Sequence, residues 1–137
     1  MKFLSPKIHG ILDMLVTVVL FAAPSLFGFG REASAVSYVL GAVYIVVILA
    51  TAYPYGVVKL IPFTVHGALE LILSPLLIAM PWIAGFGYDR AGRGFFVAAG
   101  IALFVVWAVT DYKAADIAYG KKGIDLGGDR KGTMRTA

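Results

Sequence analysis

Cysteine is absent from the chain, which excludes disulfides, thiolate metal sites and thiol catalysis. Charge is scarce as well. Only 15% of the 137 residues are charged, against about a quarter in a soluble domain. No nucleophile–base set, phosphate-binding loop or dinucleotide fingerprint is present, so the reading is of a protein without enzymatic activity. The two Gly-x-Gly stretches, Gly28–Gly30 and Gly85–Gly87, have no strand before them and read as helix ends.

What is abundant is apolar surface. Hydrophobic residues make up 60% of the chain and the mean hydropathy is +0.86, the composition of a membrane protein. Four segments carry it: Ile8 to Phe29, Ala33 to Tyr53, Phe63 to Phe86 and Gly94 to Thr110, the last extending to Tyr112. Each is long enough, at about 1.5 Å per residue, to cross or nearly cross a hydrocarbon layer about 30 Å thick. The short connections leave no material for a barrel. The expected fold is therefore all-α, a bundle of four transmembrane helices in a single domain over residues 1–112, followed by a basic tail over 113–137.

The first segment could pass for a secretory signal, with Lys2 and Lys7 ahead of an apolar run. A close relative of it lies mid-chain, however, so it is read as a permanent helix. Lys and Arg set the orientation. Lys2, Lys7, Lys59, Lys113, Lys121, Lys122, Arg130, Lys131 and Arg135 lie on one side, and Arg31, Arg90 and Arg93 on the other. That bias places both termini in the cytoplasm, in a prokaryotic inner membrane. Tyr53, Tyr55 and Tyr112 would mark the inner interface, and Trp82, Phe86 and Tyr88 the outer one. The net charge of +4 is concentrated in the tail, which suits an anionic lipid surface and not nucleic acid.

The two halves repeat. At an offset of 57 residues His9 falls on His66, Gly10 on Gly67, Leu12 on Leu69, Asp13 on Glu70, Pro24 on Pro81 and Gly28-Phe-Gly on Gly85-Phe-Gly. With the offset widened by two, Thr51-Ala-Tyr53 matches Thr110-Asp-Tyr112. Agreement at one offset marks an internal duplication, repeat 1 covering about 8–53 and repeat 2 about 63–112. Two helices per unit make the repeats parallel, related by a pseudo-two-fold along the membrane normal. The glycines after each helix fit left-handed caps, and Ser74-Pro75, lacking a counterpart at Thr17-Val18, predicts a more bent third helix.

The stretch LELILSPLLIAMPWIAGFG, residues 69–87, resembles the SPW-repeat family of small prokaryotic membrane proteins. Here Ser74-Pro75 and Pro81-Trp82 are separated where the family fuses them, and the first half has Ala23-Pro24-Ser25. The resemblance spans roughly residues 8–112. It implies duplicated two-helix units in a membrane domain and no established activity.

His9 and Asp13, like His66 and Glu70, are four apart and share a helix face. Ionisable residues at membrane depth cost about 2.5–3.5 kcal/mol on insertion scales, so they are expected to face the interior and to pair. On one reading the pairs are structural and hold the helices, or an assembly with a homo-oligomer or another membrane protein, in register. On another, His9, Asp13, His66 and Glu70 ligate a metal ion. A third reading has His9 and His66 as haem ligands, with Gly10 and Gly67 leaving room. A fourth is a proton or ion relay, with Asp111 on the same side.

Overall fold

The computed structural model describes residues 2–115; the basic tail falls almost entirely outside them, as does its expected role at anionic lipid. Four long helices follow one another: α1 (Pro6–Phe27), α2 (Arg31–Ala50), α3 (Phe63–Ile83) and α4 (Arg90–Val109), with a short α5 (Tyr112–Ala115). Among the described residues there is no strand, and all four long helices are long and apolar enough to cross a membrane. At 20 to 22 residues each, they measure about 30–33 Å by helix rise.

Local chemistry sets the ends. Ser5 caps α1 and Pro6 opens it, where a missing N–H costs nothing. Gly28 and Gly85 follow α1 and α3 with φ of 65° and 76°, the left-handed conformation that glycine adopts without penalty. Helix α4 begins at Arg90, four residues before the apolar run that marked it. The Asp89 side chain accepts from the N–H groups of Ala91 and Gly92 and so nucleates the extra turn.

The burial pattern is that of a bundle in lipid. Val39, Val46, Ile72 and Val105 point outward, and the buried stripe is rich in small and polar residues. The stripe obeys the duplication. In α1 it holds His9, Gly10, Asp13, Thr17, Leu20 and Pro24, and in α3 the residues 57 further on, His66, Gly67, Glu70, Ser74, Leu77 and Pro81. Ala33, Ser37, Gly41, Tyr44 and Ile48 line α2; Gly92, Phe96, Gly100 and Leu103 line α4 at an offset of 59.

Helices pair as hairpins, α1 with α2 and α3 with α4. Each is closed by a serine, Ser37 Oγ donating to Leu20 O at 2.7 Å and Ser74 Oγ to Gly100 O at 2.9 Å. Between the hairpins lies an apolar cleft of about 590 Å³, with Leu15, Val19, Leu40, Leu73 and Ala99 among its walls. The hairpins meet on either side of it: at one end Gly30 N donates to Asp89 Oδ2 and the Phe29 and Phe95 ring centroids are 5.3 Å apart, and they meet again at the end where α1 and α3 begin. There Leu4 N donates to Val109 O and Asp111 N to Leu4 O, while Ile61 N donates to Ala50 O and Ala52 N to Ile61 O. These four bonds are two equivalent pairs, one from each half.

Two interface expectations require correction. Tyr53 and Tyr112, expected at the lipid boundary, are buried, and so is Phe86, which packs on Phe96 with ring centroids 5.2 Å apart. Trp82 and Tyr88 are exposed. The buried rings find apolar and polar neighbours at the helix ends that hydropathy alone does not register.

A candidate metal centre built by both repeats

His9 and Asp13 occupy the first two turns of α1, and His66 and Glu70 the first two turns of α3. Their shared faces turn inward, and all four residues are buried. One ligand atom from each lies within 4.8 Å of the others. His9 Nε2 is 3.4 Å from Asp13 Oδ1 and 3.3 Å from Glu70 Oε1. His66 Nε2 is 3.5 Å from Asp13 Oδ2 and 3.6 Å from Glu70 Oε1. The structure thus brings together all four residues singled out in the sequence, and each histidine stands between the carboxylates of both repeats.

The outer ring nitrogens are fixed by threonines. His9 Nδ1 is 3.0 Å from Thr110 Oγ1, and His66 Nδ1 is 3.0 Å from Thr51 Oγ1. Each threonine hydroxyl spends its one proton on its own helix, Thr110 on Val106 O and Thr51 on Val47 O, both at 2.6 Å. A hydroxyl that has donated can only accept, so each imidazole carries a proton on Nδ1. The Nε2 atoms face the centre and have no hydrogen-bond partner. The threonine that orients each histidine comes from the other hairpin.

Phenols hold the carboxylates. Tyr44 donates its single proton between Asp13 Oδ1 at 3.0 Å and Glu70 Oε1 at 3.2 Å. Tyr112 donates to Glu70 Oε2. Tyr53, its equivalent, is buried beside the cluster with no partner for its hydroxyl, and Asp13 Oδ2 also lacks a hydrogen bond. Burial, with the nearby carboxylates, pushes the Tyr53 and Tyr112 phenols up, so both stay protonated. Gly10 and Gly67 give these rings their place. A Cβ on Gly10 would meet Tyr53 Cε2 at 2.3 Å, and one on Gly67 would meet Tyr112 Cδ1 at 2.7 Å. Phe63 closes the loop side, its ring centroid 5.1 Å from that of His9 and 5.6 Å from that of Tyr53.

The sequence pattern found the four ionisable residues and missed Tyr44, Phe63 and the roles of Thr51 and Thr110. The Thr-x-Tyr match between the halves was their signal, since repeated polar residues ending apolar helices need a shared reason. The haem arrangement does not fit this geometry. The imidazole centroids are 5.6 Å apart at an interplanar angle of 81°, and carboxylate oxygens flank both Nε2 atoms in the space a macrocycle would take.

Four membrane-spanning helices around a buried His/carboxylate centre define a small integral membrane protein of the helix-bundle class. Residues 7–116 match the SPW repeat domain, and the chain belongs to that family. No curated protein and no solved structure matches the chain.

Proposed function

We propose that the protein is a non-enzymatic integral membrane protein whose His/carboxylate cluster is the tie between its two hairpins. The observation that carries this reading is the crossing of its contacts. Each histidine is oriented by the other hairpin's threonine, and Tyr44 of the first hairpin reaches the carboxylates of both. In the middle of the span the hairpins face an apolar cleft, so within the membrane-spanning part this centre is the polar tie between them, added to the contacts at the two ends. Hydrogen bonds between transmembrane helices contribute about 0.6–2 kcal/mol each, and several converge here.

The equivalent contacts support a pseudo-two-fold between the repeats along the membrane normal. The Lys and Arg bias supports cytoplasmic termini in a prokaryotic inner membrane, with the centre in the inner leaflet and the basic tail at anionic lipid. A homo-oligomer or a membrane-protein partner would be organised through the same bundle. The test is the double substitution Asp13→Asn with Glu70→Gln, followed by thermal unfolding in detergent. Helical content is expected to survive and the midpoint to fall. An unchanged midpoint would remove the tie. A C-terminal reporter found in the periplasm would reverse the orientation.

A further inference from the structure

We infer that His9, Asp13, His66 and Glu70 hold one divalent transition-metal ion of the zinc type, in a closed site to which each repeat contributes one histidine and one carboxylate. The inference deepens the reading of this centre as a tie and gives the tie its chemistry.

Three independent features carry it. The first is distance. A tetrahedron's edge is about 1.63 times its centre-to-corner length, so metal–ligand bonds of about 2.0–2.2 Å give edges of about 3.3–3.6 Å. Glu70 Oε1 lies 3.3 and 3.6 Å from the two Nε2 atoms, while Asp13 meets His9 through Oδ1 at 3.4 Å and His66 through Oδ2 at 3.5 Å. One ligand atom from each of the four residues lies within 4.8 Å of the others, a spread that a bound ion would draw in. A protonated imidazole bound directly to a carboxylate would instead sit at about 2.7–2.9 Å.

The second feature is the tautomer. Thr51 and Thr110 accept the Nδ1 protons, so in the neutral imidazole the lone pair lies on Nε2, and both Nε2 atoms face the carboxylates. A hydrogen bond behind a ligating imidazole is the usual outer-shell arrangement at zinc, where it fixes ring orientation and raises basicity. Tyr44 and Tyr112 orient the carboxylates by donating to them, and favour their ionised form.

Charge is the third. Two neutral imidazoles and two carboxylates sum to −2 in a buried site at membrane depth, and a divalent cation brings the centre to zero. Nitrogen and oxygen donors in equal number suit zinc and its neighbours, whereas calcium and magnesium require more oxygens. With four protein ligands and no open position, the site is of the structural kind, consistent with a protein without catalysis.

The test uses the full chain purified in detergent with a tag free of histidine. His9 and His66 are then its only imidazoles, and it has no thiol. After chelator treatment the protein is titrated with Co²⁺ and then with Zn²⁺. One cobalt per chain with the intense visible bands of tetrahedral coordination, displaced by one zinc, is the expected result. His9→Gln with His66→Gln should abolish the bands. Thr51→Val with Thr110→Val leaves every ligand in place and should weaken binding about 10- to 100-fold through loss of the outer shell. A folded wild-type protein without those bands overturns the site, as do bands that survive the histidine substitutions. The tie is judged separately, on metal-free protein. If Asp13→Asn with Glu70→Gln destabilises it and cobalt does not bind, the tie stands and the metal falls. If cobalt binds but the metal-free variant is as stable as the metal-free parent, the metal stands and the tie falls.

Discussion

The two repeats supply the same histidine, glycine and threonine to the centre, yet their carboxylates live differently. Glu70 receives phenols from Tyr112 and Tyr44, whereas Asp13, one methylene shorter, receives Tyr44 alone and leaves Tyr53 without a partner. Tyr44 itself has no equivalent, since the position 59 residues on is Leu103, and Phe63 falls on Pro6 at the 57-residue offset. The paired ligands thus come from both repeats, whereas Tyr44 and Phe63 are each supplied by one copy alone. The difference teaches which residues answer to the pair and which to the centre as a whole.

The largest expected effect comes from breaking what the repeats share. Gly10→Ala drives a methyl into two rings, Tyr53 and Tyr55, and Gly67→Ala into Tyr112 alone. Overpacking of this kind costs about 1–3 kcal/mol, so the thermal midpoint should fall in both and further in Gly10→Ala. Equal midpoints in the two variants would show that the rings are placed by something other than these glycines.

Next in size is the divergence itself. Glu70→Gln disturbs bonds from two phenols and Asp13→Asn a bond from one; each amide keeps one acceptor oxygen, so the cost is about 0.5–1.5 kcal/mol per bond lost. The unfolding midpoint should drop more for Glu70→Gln. The reverse order would mean that Tyr112 contributes little. Asp13→Glu sharpens the comparison from the other side. The added methylene carries a carboxylate toward Tyr53, and a gain of about 1 kcal/mol is expected from satisfying two buried groups. A lower midpoint would show that the space beside Asp13 does not admit the longer side chain.

Much of this architecture was legible in the residues. Hydropathy located four spans because lipid permits little else, and the H-G-x-L-[DE] repeat located four ionisable residues because burying them at membrane depth requires a reason. The orientation of Thr51 and Thr110 toward the opposite hairpin's histidine was not legible, because a hydroxyl at a helix end has many local uses. Tyr44 was hidden for a plainer reason. A lone tyrosine in an apolar run carries no periodic signal, and only the packing of α2 against α1 aims it at both carboxylates. Tyr53 and Tyr112 misled because tyrosines at span ends commonly face the headgroups. The adjacent Gly10 and Gly67 were the cue that a ring enters there.

At the opposite end of the bundle one residue serves both repeats, and its loss should give the smallest effect. Asp89 Oδ1 accepts from Ala91 and Gly92 at the start of α4, while Oδ2 accepts from Gly30 N at 2.8 Å at the start of α2. Gly30 is its equivalent at the 59-residue offset, and α2 has no side-chain cap of its own. The Gly92 N–H, aided by those of Gly30 and Ala91, holds the Asp89 carboxyl below its ordinary 3.8. A depressed folded value means that the contribution is present above the unfolded value and is lost as pH falls through the folded one. Asp89→Asn keeps one acceptor oxygen for the α4 cap but loses the charge and the bond from Gly30, so a loss of about 1 kcal/mol is expected at neutral pH. As pH falls from about 4 through the lower folded value the variant and the parent should converge, since the folded parent loses its charge only there. Thermal unfolding across that range checks it, and a difference that persists in acid would assign the effect to cap geometry instead.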